Sequence, residues 1–137
     1  MKKAICILIG GFLLAACDGA GDQNSSKVVD PALQARADNF VKACAGAAEN
    51  FGSKVLRPEC ECIAASVVEY INPESALKFF DDLTPLYEIE DDKRREDSQD
   101  RYWRDLIIGL STEERPQWNA MLTEAFPVCR GEGEGDA

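Results

Sequence analysis

The chain has 137 residues, with 25 acidic and 15 basic side chains, six cysteines, no histidine and a net charge of −10. At 45% hydrophobic residues it has the content of one small globular domain rather than of a disordered chain. Without histidine there is no Ser-His-Asp or Cys-His machinery, no histidine metal site and no C-x-x-C-H haem attachment. The acid excess also removes the basic face that a nucleic-acid binder needs.

In chain order, Met1-Lys2-Lys3 is a short positive region and Ala4 to Ala16 is an apolar run of 13 residues. That run is too short to span a membrane, which takes roughly 20 residues, but it suits the apolar stretch of an export signal. It ends in Leu14-Ala15-Ala16-Cys17, which resembles the lipobox of bacterial lipoproteins. The resemblance covers residues 1–17 only. It implies a diacylglyceryl group on the Cys17 thiol, cleavage just before Cys17, and a mature chain held to a membrane by its acyl chains. Asp18 after the cysteine resembles the inner-membrane retention signal of enteric lipoproteins.

Cleavage would remove Lys2 and Lys3, leaving 13 basic against 25 acidic side chains and a net charge of −12. So acidic a domain is repelled by anionic phospholipid, and the lipid must do the holding. Residues 17–29 read as the lipidated cysteine and a flexible polar tether built on GAGDQNSS, residues 30–130 as the folded domain, and residues 131–137 as a disordered acidic tail.

The domain reads as helical almost throughout. Asp30-Pro31 is an N-cap with proline at the first helical position, and Leu33, Ala37, Phe40, Cys44, Ala47, Ala48 and Phe51 recur at helical spacing until Gly52. A second helix is expected from about Pro58 to Ile71, with Ile63, Ala64, Val67, Val68 and Ile71 inward. Asn72-Pro73-Glu74-Ser75 caps a third helix carrying Leu77, Phe80 and Leu83, which Thr84-Pro85 interrupts. Glu88 to Asp100 is nearly all charged and is expected to be a solvated, mobile connection, as a loop or an exposed helix. Tyr102, Trp103, Leu106, Ile107 and Leu110 restore an apolar face. Ser111-x-x-Glu114 is a capping box that opens a last helix with Trp118, Met121, Leu122, Ala125 and Phe126, ending before Pro127. No useful β alternation occurs. The expected fold is all-α, a small disulfide-stapled bundle of four or five short helices.

With Cys6 lost in the signal and Cys17 lipidated, Cys44, Cys60, Cys62 and Cys129 remain, an even set in an exported chain and hence two disulfides. Pairing Cys60 with Cys62 would close a strained small ring. In an antiparallel hairpin of the first two helices, level along the axis brings Cys44 nearest Cys62, which leaves Cys60–Cys129. Helical phase instead puts Cys60 on the inward stripe with Ile63 and Val67, which favours Cys44–Cys60 with Cys62–Cys129. Level is given precedence, and both pairings stay open.

No catalytic constellation, metal site or cofactor is read from the sequence. The tandem acids Asp81-Asp82 and Glu113-Glu114 are adjacent on helices and do not face one another. Tyr102, Trp103 and Trp118 read as core, although such side chains also anchor interfaces. The expected function is a non-catalytic binding or scaffolding module of the bacterial cell envelope, lipid-anchored, facing the periplasm and engaging another envelope protein. One alternative is a thiol redox or metal-carrier protein using Cys60-Glu61-Cys62. Another is a small helical chaperone that exposes apolar surface when its acids are protonated.

Overall fold

The computed structural model describes residues 29–131. The expected export signal, Cys17, the part of the expected tether up to residue 28 and the expected tail beyond residue 131 lie outside them. Five helices and no strand are found among the described residues, which are 81% helical. They are α1 (Pro31–Phe51), α2 (Arg57–Tyr70), α3 (Pro73–Tyr87), α4 (Asp92–Gly109) and a last helix built from α5 (Arg115–Ala120), a π turn (Met121–Ala125) and α6 (Phe126–Cys129).

The helix ends form where the local chemistry puts them. The Asp30 carboxylate accepts from Ala32 N at 2.7 Å, Asn72 Oδ1 accepts from Ser75 N at 3.0 Å and Asp91 Oδ1 accepts from Arg94 N at 2.8 Å, each meeting a donor that a helix start leaves orphaned. Gly52 closes α1 in the left-handed region at φ 70°, where a side chain would be strained. The expected capping box is present: Glu114 N donates to Ser111 Oγ at 3.2 Å, and Ser111 N donates back to Glu114 Oε2 at 3.1 Å.

α1 lies in the middle of the bundle, packed on α2 on one side and α3 on the other; α2 also meets the last helix, and α3 carries α4. The core is continuous across these layers. Leu33, Ala37, Phe40, Cys44 and Ala47 of α1 face Ile63, Ala64 and Val67 of α2 and Phe80, Leu83 and Tyr87 of α3. Phe79 sits at its aromatic centre, with ring centroids 5.5 Å from Phe80, Trp103 and Trp118 and 6.0 Å from Phe40.

Two prolines do not stop their helices where the sequence suggests. α3 runs through Pro85 to Tyr87. Pro85 removes the bond to the carbonyl of Asp81, but both residues are exposed, so water meets that carbonyl, and buried Tyr87 holds the last turn down against Phe40, 5.5 Å away. The last helix passes Pro127 by widening first: within the π turn the Phe126 amide bonds back to Met121, five residues earlier. This relieves the crowding of the Pro127 ring against the preceding turn. The inserted residue also rotates the final turn of the helix by roughly 100°, directing Cys129 toward α2.

Of the two forms expected for the charged stretch from Glu88 to Asp100, loop or exposed helix, most of it takes the helix. From Asp92 onward it is the start of α4, held by Arg95, which is 3% exposed. The guanidinium donates to Ile89 O at 2.7 Å, pairs with Asp92 and lies over the Phe51 ring at 5.4 Å. Arg95→Met should therefore cost about 2 kcal/mol, the scale of hydrogen bonds to a charged group, and speed amide exchange over residues 89–95. Denaturant melts and hydrogen exchange measure both; an unchanged midpoint would mean that the buried guanidinium contributes nothing net.

Candidate functional site

The four domain cysteines form two bridges, Cys44–Cys60 with Cα atoms 5.9 Å apart and Cys62–Cys129 with Cα atoms 5.4 Å apart. The pairing that level favours, Cys44–Cys62 with Cys60–Cys129, is thus corrected. Side-chain direction decides it. Cys44 and Cys60 are fully buried on the facing stripes of α1 and α2, whereas Cys62, two residues and roughly 200° further round, points toward the last helix. The argument from level assumes a symmetric hairpin, but Gly52 reverses the chain at once and Leu56 is still extended when α2 begins. Cys60 and Cys62 therefore serve different partners and do not form a common dithiol. The Cys62–Cys129 bridge is half-buried, and Ser66 Oγ, which donates to Cys62 O at 2.8 Å, lies 3.6 Å from Cys129 Sγ.

The tandem acids separate in the fold. Asp81 pairs with Arg36 of α1 at 3.1 Å, tying α3 to α1, while Asp82 pairs with Lys78 on its own helix. Glu113 is exposed, and Glu114 turns inward to α3. Among the described residues no three His, Cys, Asp or Glu side chains gather as a metal site, and no helix is long and apolar enough to cross a membrane.

Two concavities stand out among the described residues. The larger, about 640 Å³, is an open groove along α1 and α2 floored by Val41, Ala64, Ala65 and Val68. Its rim mixes Lys42 and Arg57 with Asp38, Glu61 and Glu69. The smaller, about 380 Å³, is a cleft between α3, the second half of α4 and the start of the last helix. Size favours the first; convergent polar groups with shifted ionisation favour the second, which makes it the better candidate site.

The cleft is built by three local features. On α4, Tyr102, Asp105, Leu106 and Gly109 fall at spacings of three and four and so share one face toward it. On α3, Ser75, Lys78, Phe79 and Asp82 do the same. The capping box places Glu114 and Trp118 across the end. Glu114 Oε1 accepts from Ser75 Oγ at 2.6 Å and Oε2 from Ser111 Oγ at 2.7 Å, so these hydrogen bonds hold its carboxyl below the usual glutamate range. Burial, and then the Asp82 carboxylate, push the Tyr102 phenol up, which keeps it protonated.

Trp118 lies at the floor, 1% exposed, and its Nε1 is buried with no hydrogen-bond partner. Of the three aromatic residues that the sequence marks as core, Trp118 is core outright, while Tyr102 and Trp103 are half-buried. Sequence reasoning misses Phe79 and Asp105, and it reads Asp82 and Glu114 only as helix surface and a cap. Phe79 is legible in the spacing 76, 79/80, 83, 87; the meeting of Asp105 with Glu114 has no local signal. No model of a known protein family matches the chain, and neither a curated protein nor a solved structure matches it.

Proposed function

We propose that this chain is a lipoprotein of the bacterial cell envelope, cut before Cys17, held to the membrane by the lipid on that cysteine and facing the periplasm, with a helical domain that acts as a non-catalytic binding module for another envelope protein. The observation that carries the reading is the state of the cysteines. Every cysteine after the lipobox position is in a disulfide, the form expected in an oxidising compartment, and the segment before it has the charge and length of an export signal. Two or three acyl chains, at ~0.8 kcal/mol per buried methylene, anchor such a chain without a spanning helix. Asp18 favours the inner membrane. The polar cleft rather than a catalytic constellation supports binding over chemistry.

Labelled palmitate fed to the producing bacterium should enter the wild-type chain and be lost from Cys17→Ala, which should also keep residues 1–16. Label retained by the variant, or absent from the wild type, refutes the anchor. Denatured without reductant, the mature domain should titrate no free thiol; two free thiols would instead favour a thiol-exchange protein. That second reading rests on the half-buried Cys62–Cys129 bridge, since Cys60 is sealed in the core.

A further inference from the structure

The cleft between α3, α4 and the last helix has a charge that its own ion pairs do not neutralise. Lys78 is its one cation and is spent on Asp82, leaving Asp105 and the pinned carboxylate of Glu114 over an aromatic floor of Phe79, Tyr102 and Trp118. We propose that this cleft docks a cationic amphipathic segment of a partner protein. One apolar or aromatic side chain would seat on Phe79 and Trp118, and flanking lysines or arginines would meet Asp105 and Glu114. The inference deepens the binding-module reading and rests on it.

Charge complementarity sets the sign of the partner: two unneutralised carboxylates beside low-dielectric aromatic walls attract a cation, and aromatic faces add to that attraction. The volume, about 380 Å³, suits one large side chain or two small ones. The extent of the apolar surface sets the partner's class. In the last turn of α4, which forms one wall, Ile108 is 74% exposed and lies roughly 100° round the helix from the cleft face, at the rim of that wall. A ligand confined to the cleft leaves Ile108 in water, whereas a partner helix laid over that rim covers it, as in helix-in-groove recognition.

The unmet donor at Trp118 Nε1 is a further pull on the segment, whose carbonyl groups are acceptors. Reaching it requires the wall to give. α4 is the element suited to that, because Arg95 is its one fully buried side chain and its second half is held by half-buried Tyr102, Trp103 and Leu106.

The test uses the lipidated protein in neutral phosphatidylcholine nanodiscs, with empty nanodiscs as blank. The probe is a fluorescent twelve-residue peptide of leucine, lysine and one tryptophan at helical spacing, read by anisotropy. Its control carries glutamate for every lysine. Gly109→Leu fills the cleft without changing charge, and a Cβ at Gly109 meets no atom within 4 Å. The expected result is saturable binding of the lysine peptide, weakened at least tenfold by Gly109→Leu and by Asp105→Asn, and less than twofold by Asp38→Asn on the α1–α2 groove.

Equal losses from Asp105→Asn and Asp38→Asn would reduce the binding to general attraction by an acidic protein and overturn the proposal, as would full binding to Gly109→Leu. Binding of both peptides, both blocked by Gly109→Leu, would overturn the cationic partner while sparing the binding module. Binding of neither overturns the site. A chain that does not enter the nanodiscs fails the anchor reading alone, and the same titration on the soluble chain then decides the cleft.

Discussion

Removing the Cys62–Cys129 bridge, as the Cys62→Ser, Cys129→Ser pair, should lower the stability of the domain by about 4 kcal/mol, and removing Cys44–Cys60, as the pair of alanines, by about 3 kcal/mol. The difference follows from the length of chain each bridge closes, 67 against 16 residues, since a longer closed loop takes more entropy from the unfolded chain. Against the 5–15 kcal/mol of net stability typical of a small domain, either loss is severe. They should also differ in kind. Without Cys62–Cys129 the last helix loses its tie to α2, so amide exchange should rise first in Arg115–Cys129; without Cys44–Cys60 the α1–α2 contact at the centre of the core loosens.

Denaturant melts of the three proteins measure the losses, and exchange locates them. The connectivity has its own check: proteolysis after Glu61 separates the two bridges, and fragments linking Cys44 to Cys60 and Cys62 to Cys129 are expected. Equal destabilisation by both pairs of substitutions would mean that loop length does not govern the effect.

Phe79→Ala should cost 3–5 kcal/mol, the range for truncating a buried phenylalanine, and its effect should be the largest of any single core substitution in this domain. Phe79 is 1% exposed and touches the rings of Phe40, Phe80, Tyr102, Trp103 and Trp118, so its loss opens a cavity where α1, α3, α4 and the last helix meet. Tilted aromatic pairs add to the area term, by about 0.5–1.5 kcal/mol each in measured cases. Phe79→Leu should recover a substantial part of the loss. Both tryptophans lie 5.5 Å from this ring by centroid, so their emission reports the change as well as the melt. A loss no greater than 1 kcal/mol would show that the aromatic cluster closes over the gap.

Much of the fold is legible in the residues alone. The Asp30 cap, the Gly52 stop, the Asn72 cap and the Ser111–Glu114 box are each complete within four residues, and each occurs where the sequence puts it. The departures have one origin. Pro85 and Pro127 read as stops because a proline lacks a donor and crowds the preceding turn, which is true locally. Whether that ends a helix depends on what the freed carbonyl meets and what holds the next turn. At Pro85 these are water and the burial of Tyr87, and at Pro127 a widened turn and a disulfide. The charged Asp92–Asp100 stretch misleads in the same way: its acids are exposed as composition suggests, but one guanidinium in it is buried against Phe51, more than 40 positions earlier.

The sequence by itself determined the all-α class and the helix ends that local caps set, because propensity, caps and apolar period act within one or two turns. Only the tertiary structure decided which cysteines pair, where Arg95 goes, and that Asp105 and Glu114 share a cleft over Phe79 and Trp118. Those facts depend on how far each helix is rotated and offset against its neighbours. Close packing of whole faces sets that, and a rotation of roughly 100°, one residue's worth, is enough to change which side chain meets which.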